Sequence, residues 1–312
     1  MTNQSEPGLL KEIEMGVGTW AWGDRLMWGF GRGYSLADLR TVYETSMASK
    51  IHMFDTAEVY GQGQSEQILG SFIKGSQEPL FIASKFMPFP WRLSRSSLRK
   101  ALDASLRRLG LPAIDLYQIH MPLPPVNIET WMDSMVEVYQ AGLISGVGVS
   151  NYDSDQMRRA HDHLQQEGIR LASNQVEYSL LNRKIEKQGM LKRAGELGTR
   201  IIAYSPLCQG VLTGKYTPEK PPQGIRGGRY SRRFLEKIQP LLKLMARIGS
   251  DHGGKTPAQV AINWTICKGT LPIPGAKTLR QAEQNCGACG WRLNEAEMAD
   301  LDESSERVLA ES

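Results

Sequence analysis

Gly18-Thr19-Trp20-Ala21-Trp22-Gly23 follows the first apolar run of the chain, Met15 to Gly18. A dinucleotide-binding open sheet needs glycines at fixed offsets in this turn, because its backbone must bend tightly and approach a pyrophosphate. Two tryptophans stand there instead. Downstream, further β-like runs alternate with helical patterns: His52 to Asp55, Leu80 to Lys85, Ile114 to His120, Ser145 to Ser150, Ala172 to Glu177, Arg200 to Tyr204 and Thr270 to Ile273. Such alternation marks βαβ units on a parallel sheet. Eight strand–helix units with right-handed crossovers can close on themselves, so the expected fold is α/β, a (β/α)8 TIM barrel. The 312 residues fit one such domain, spanning 1–312.

Two helices are legible in detail. Ile128, Trp131, Met132, Met135, Val136 and Tyr139 recur with helical spacing and predict a helix lying one-sided on the sheet. Before it, Leu98, Leu102, Leu106 and Leu109 form a stripe, which leaves Arg95, Arg99, Arg107 and Arg108 to face water without partners. Ser205 to Arg233 is a long connection rich in Gly, Pro and Arg after the seventh strand, and is read as a functional lid. The chain shows no internal repeat and no low-complexity tract.

Apolar residues make up 41% and charged residues 22%, enough for a sizeable core and unlike a disordered, collagen-like or coiled-coil chain. Met1 to Met15 has neither a basic start nor an apolar run, and no long apolar stretch follows, so no signal peptide, transit peptide or membrane span is expected. A net charge of +4 suits a small anionic ligand and falls short of a nucleic-acid footprint. The four cysteines all lie after residue 200, too few for a disulfide scaffold and consistent with a reducing cytoplasm.

In a barrel of this class the C-terminal strand ends carry the site. Here they are polar: Phe54-Asp55-Thr56-Ala57 runs into Glu58-Val59-Tyr60-Gly61, strand three ends in Ser84-Lys85, and strand four in Gln118-Ile119-His120. A Tyr hydroxyl is a poor acid at neutral pH, but a nearby Lys ammonium stabilises the phenolate and lowers its pKa. Asp55 can keep Lys85 charged and in place, while His120 can hydrogen-bond a carbonyl oxygen and orient it toward Tyr60. Such a set protonates a developing alkoxide, which means carbonyl reduction by hydride. The plainer alternative is a barrel-mouth ion pair between Asp55 and Lys85, with Tyr60 and His120 merely packing.

Gly18-Thr19-Trp20, Asp55-Thr56-Ala57, Tyr60-Gly61, Ser84-Lys85, Gln118-Ile119-His120, Gly148-Val149-Ser150-Asn151 and Asn174-Gln175 together resemble the aldo-keto reductases. So do Tyr204-Ser205-Pro206-Leu207, Gly214-Lys215-Tyr216 and Ile273-Pro274-Gly275-Ala276-Lys277 leading to Asn285. The resemblance runs from about Gly16 to Leu301, in the family's order. It is nearest the branch with the potassium-channel β-subunits and the plastid and bacterial oxidoreductases of unassigned substrate.

The resemblance implies a monomeric or weakly oligomeric barrel that binds NADP(H) in an extended pose. Its tetrad maps onto Asp55, Tyr60, Lys85 and His120, with Tyr60 as general acid. It implies that Ser150, Asn151 and Gln175 hold the nicotinamide carboxamide, that Tyr204 stacks on the ring, and that Ser205, Pro206, Leu207, Gln209, Gly210 and Lys215 straddle the pyrophosphate. Thr19 and Trp20 join these contacts. At the adenine end the better-studied branch has a Lys-Ser pair and an Arg where this chain has Gly275-Ala276 and Gln281. Lys277 is then expected to take the 2′-phosphate, Gln281, Gln284 and Asn285 to address adenosine, and Arg226 to close over from the long loop.

Weaker signals point elsewhere. His161-Asp162-His163 reads as H-x-H, but it falls in a helical pattern that sends the imidazoles to opposite faces, so no metal site is expected. Cys286-Gly287-Ala288-Cys289 has C-x-x-C spacing without a second pair. Arg226, Arg229, Arg232 and Arg233 suit solvent or a phosphate better than a polyanion. Trp20, Trp22, Trp91 and Met121 are candidates to wall a substrate pocket, which the short segment after Asn285 leaves broad and open. Two functional classes follow: an NADPH-dependent aldehyde or ketone reductase, or a cofactor-occupied binding subunit with little turnover. The channel subunits carry Asn where His120 stands, so the intact set favours turnover.

Overall fold

The computed structural model describes residues 8–222 and 230–310. Its strands are β1 (Val17–Gly18), β2 (Met53–Asp55), β3 (Phe81–Phe86), β4 (Leu116–Ile119), β5 (Val147–Ser150), β6 (Leu171–Glu177), β7 (Arg200–Tyr204) and β8 (Leu271–Pro272). All pair in parallel and in sequence order. The ring closes where Gly16 N–H donates to Pro272 O at 3.0 Å and Gly18 N–H to Pro274 O at 3.2 Å. That seam is short for a chemical reason. Residues 272 and 274 face β1, and as prolines they offer carbonyls but no N–H, while Ile273 between them donates to Ala203 O of β7 at 3.0 Å. Gly18 has no room for a side chain here, since a Cβ would stand 2.8 Å from Ile273 O.

The interior is filled by Leu10, Met53, Ala83, Leu116, Ile202, Leu271 and Ile273, so the barrel is a packed core with its site at one mouth. A larger apolar layer joins the strands to the surrounding helices. The helix Ile128–Gln140 buries Trp131, Met132, Met135 and Val136 as its periodicity predicts. Tyr139, expected on that face, is 37% exposed. The helix Arg95–Leu109 buries Leu98, Leu102 and Leu109. Three of its four arginines do not stand free as expected: Arg95 pairs with Asp133 and Glu137, Arg99 with Asp103, and Arg108 with the fully buried Glu66 at 2.6 Å. A carboxylate this deep in the core is costly unless it is paired, and a stripe of leucines does not reveal the pairing.

The connection after β7 is not structureless. It makes a 3₁₀ turn over Cys208–Thr213, and its last residues enter the helix Arg232–Lys237. His161 and His163 lie in the helix Ser154–Gln165, where His163 Nε2 meets Asp133 at 2.6 Å. Cys286 ends the helix Leu279–Cys286, and none of the four cysteines is in a disulfide. Among the described residues no helix is long and apolar enough to cross a membrane, and no group of three or more His, Cys, Asp or Glu could hold a metal.

Candidate active site

The C-terminal ends of β2, β3 and β4 place four groups together. Asp55 is the last residue of β2, Lys85 the fifth of the six in β3, and His120 follows β4 directly. Tyr60 opens the 3₁₀ turn Tyr60–Gly63. Lys85 is wholly buried, and its Nζ donates to Asp55 Oδ1 at 2.5 Å, to Thr56 O at 2.9 Å and to the Tyr60 hydroxyl at 3.2 Å. Three donors on one ammonium thus have three acceptors, which fixes its position. The second carboxylate oxygen of Asp55 accepts from Gln175 Nε2 at 2.7 Å and Gln118 Nε2 at 3.3 Å. The His120 ring stands edge-on to Tyr60, with centroids 5.7 Å apart.

Electrostatics follow from this geometry. Burial alone would pull the Lys85 pKa down, but Asp55 and Tyr60 outweigh it and hold the ammonium above its ordinary value. Burial pushes the Tyr60 hydroxyl up, Lys85 pulls it down and Asp55 pushes it up, for a net rise. The expectation of a lowered Tyr60 pKa is therefore corrected, because desolvation of a phenolate outweighs the neighbouring cation. Burial, then the Lys85 charge, lower His120 to about 3, so its imidazole is neutral, and its buried Nδ1 has no hydrogen-bond partner.

These groups open on a cleft of about 510 Å³. Asp55, Tyr60 and His120 line it, whereas Lys85 lies behind them. Trp20, two residues past β1, also faces it, with Ser150 at the end of β5, Asn151 after it, Gln175 in β6 and Tyr204 at the end of β7. The Tyr204 hydroxyl donates to Asn151 Oδ1 at 2.9 Å, and Asn151 Nδ2 donates to His120 O and Ser150 Oγ, both at 3.0 Å. Further along lie Ser205, Pro206, Leu207, Gln209, Gly210 and Lys215, then Gly275, Lys277, Gln281, Gln284 and Asn285. Asn151, Ser205, Cys208 and Gln209 all have φ near +50 to +60°, a left-handed backbone uncommon outside glycine that clusters at functional sites. At Gly210, also left-handed, a Cβ would meet Lys215 Nζ at 2.8 Å, so only glycine lets that ammonium lie against the loop. Lys277 Nζ sits over the rings of Tyr34 at 4.8 Å and Trp28 at 5.4 Å.

Several expectations do not meet this arrangement. Thr19 is fully buried behind the wall, where its hydroxyl donates to Asp55 O at 2.9 Å and meets Ser65 Oγ at 2.7 Å. Trp22 is also fully buried and donates to Ala276 O, so it supports the wall without facing the cleft. Trp91 is 73% exposed and stacks on Phe89 outside the lining. Arg226 lies outside the described residues. Met121 does line the cleft, as do Trp28 and Met87, which sequence reading missed. Gln118 was missed as a support for Asp55, although its spacing two before His120 on β4 puts it on the inward register. Glu58 was missed as well: it accepts from Met87 N at 2.7 Å and pairs with Arg92, pinning the loop after β3.

A closed parallel barrel with an Asp, Tyr, Lys and His at its C-terminal mouth defines a class of barrel oxidoreductases. The Aldo/keto reductase family profile matches residues 14–306, and the chain belongs to that family. It is 42% identical over 310 residues to the chloroplastic pyridoxal reductase of Arabidopsis thaliana, across 95% of this chain and 84% of the relative. The solved structure of a glycerol dehydrogenase from Gluconobacter oxydans superposes with a TM-score of 0.82 at 25% identity, covering 95% of this chain and 92% of that one. An aldo/keto reductase from Klebsiella pneumoniae, solved with NADP and acetate, superposes with a TM-score of 0.72 at 26% identity, covering 93% and 90%.

Proposed function

We propose that the protein reduces small aldehydes or ketones to alcohols with NADPH, Tyr60 serving as general acid. The observation that carries this reading is the Tyr60 hydroxyl at the wall of the cleft, 3.2 Å from a fully buried Lys85 ammonium. The cleft fits a dinucleotide: one end carries hydrogen-bonding strand ends, the middle a left-handed loop with Lys215, and the far end Lys277, Gln281, Gln284 and Asn285. Ser150, Asn151 and Gln175 would hold the carboxamide, Tyr204 would stack on the ring, Lys215 would meet the pyrophosphate and Lys277 the 2′-phosphate, with Arg226 beside it. NADPH would supply the hydride that adds to the carbonyl carbon.

The chain's own residues supply the rest. His120, neutral, orients the carbonyl oxygen toward Tyr60. As the C–H bond forms, negative charge builds on that oxygen and the Tyr60 proton passes to it. Lys85 then faces the phenolate, and Asp55, held by Gln118 and Gln175, keeps Lys85 in place. Trp20 and Trp28, packed edge to face at 5.4 Å, offer an apolar wall beside Tyr60 that suits a flat ring. Pyridoxal, the aldehyde in the plant relative's name, is therefore the first substrate to test. A reducing, cytoplasmic setting fits cysteines that form no disulfide, and the family resemblance suggests a monomer or weak oligomer.

NADPH oxidation across a panel of aldehydes, pyridoxal among them, tests this reading against the binding-subunit alternative. Steady turnover that Tyr60→Phe abolishes supports the reductase. Tight NADPH binding without turnover on any aldehyde favours the binding subunit.

A further inference from the structure

The opposite mouth of the barrel, at the N-terminal ends of the strands, holds a feature that carbonyl reduction does not use. Arg200 begins β7, and strand alternation puts it on the same side as Ile202 and Tyr204, which belong to the interior cluster. A guanidinium in such a place is ordinarily paired with a carboxylate. Arg200 makes no ion pair among the described residues: its Nε is buried without a hydrogen-bond partner, and its Nη2 reaches Thr270 O only at 3.5 Å. Burial, with no carboxylate to offset it, pulls its pKa below the ordinary arginine value.

Arg200 faces a cavity of about 960 Å³. Lys11, Arg170 and Lys268 line the same space, and among the described residues no Asp or Glu does. Among the described residues, only Lys268 of these cations has carboxylates of its own, Asp302 at 2.5 Å and Glu186 at 4.0 Å. We infer that this cavity binds a small molecule bearing a phosphate or carboxylate group, with Arg200 as its anchor. The planar fork of a guanidinium donates two parallel N–H bonds to either oxyanion, which would satisfy the orphaned donor and offset the half-buried charge together. Lys11 and Arg170 at the rim would add attraction without specifying geometry. This site is separate from the cleft at the other mouth and does not depend on the reductase reading.

The test uses protein saturated with NADPH, so that added anions cannot enter the cleft near Lys215 and Lys277. Inorganic phosphate and succinate are titrated separately by calorimetry, with chloride holding ionic strength constant. The expected result is one saturable site for at least one of them and a rise in Tm with occupancy. Saturation by phosphate alone assigns a phosphate ligand, and by succinate alone a carboxylate. Arg200→Met should weaken binding at least about tenfold, since a charge-assisted bidentate contact is lost. In anion-free buffer the same variant should match or exceed the wild-type Tm, because it replaces a half-buried cation that has no ion pair with an apolar chain. Should Arg200→Met fail to fold, Arg200→Lys keeps the charge, loses the fork and should weaken binding severalfold. No saturable binding of either anion, or equal binding by wild type and variant, overturns the inference.

Discussion

At Tyr60 two effects oppose each other, and their balance sets the chemistry. Burial favours the neutral phenol, which keeps the proton on the acid at neutral pH, while Lys85 stabilises the phenolate once the proton has left. Tyr60→Phe should therefore lower kcat by about 10²–10⁴-fold with little change in the NADPH Kd, checked by stopped-flow rates and fluorescence titration. Retained turnover would remove Tyr60 from the chemistry. His120 gives a second residue-scale prediction. Its folded pKa of about 3 lies below its unfolded value of about 6.5, so the unfolded chain binds the extra proton between those pH values. Stability should fall as pH drops through that window, and the wild-type slope should exceed that of His120→Asn by up to about 1.4 kcal/mol per pH unit in urea titrations. Parallel slopes would mean that His120 is exposed in solution. At the far end of the cleft, Lys277→Ala should cost NADPH roughly 10- to 150-fold in affinity and NADH almost nothing, as expected for one charge-assisted bond to the 2′-phosphate. Equal weakening of both cofactors would move Lys277 to the adenosine or to the fold.

At the scale of single elements, helix and loop show different limits of pattern reading. The leucine stripe of Arg95–Leu109 is legible because burial selects apolar residues at helical spacing. That Arg108 is the partner of Glu66 is not legible, because the two meet across elements, 42 residues apart in sequence. Arg108→Leu should destabilise the fold by about 3–5 kcal/mol in urea unfolding, since it leaves a buried carboxylate without its counter-ion, and Glu66→Leu in the same background should recover part of that loss. An unchanged midpoint for Arg108→Leu would mean that water reaches Glu66. The turn Cys208–Thr213 carries three consecutive left-handed residues, Cys208, Gln209 and Gly210, ahead of Lys215. Strain of this kind is offset when a ligand meets the exposed amides. NADPH should therefore slow hydrogen exchange at Leu207 to Gly214 by at least about tenfold, as measured by mass spectrometry. Equal exchange with and without cofactor would argue against a lid.

For the whole molecule, the weakest join is the seam between β8 and β1, where two prolines withhold donors. Gly18→Ala should crowd Ile273 O there, costing about 1–3 kcal/mol of stability in denaturant unfolding. The eight strands, their order and the strand-end positions of Asp55, Lys85 and His120 follow from the sequence alone, because parallel strands buried on both faces demand apolar runs and leave polar residues only at their ends. That Asp55, Lys85 and His120 share one rim was legible for the same reason. Which face each group takes was not. Thr19 and Trp22 sit beside Trp20 in the chain, yet they turn into the wall while Trp20 faces the cleft, since packing against Ser65 and Ala276 decides it. The direction of the Tyr60 pKa likewise depends on how much protein surrounds the phenol, a quantity no spacing encodes. Arg200 is the clearest case: in sequence it is one more cation at the start of a strand, and only closure of the barrel makes it a half-buried charge with a buried, unpartnered Nε, facing a cavity lined by no described carboxylate.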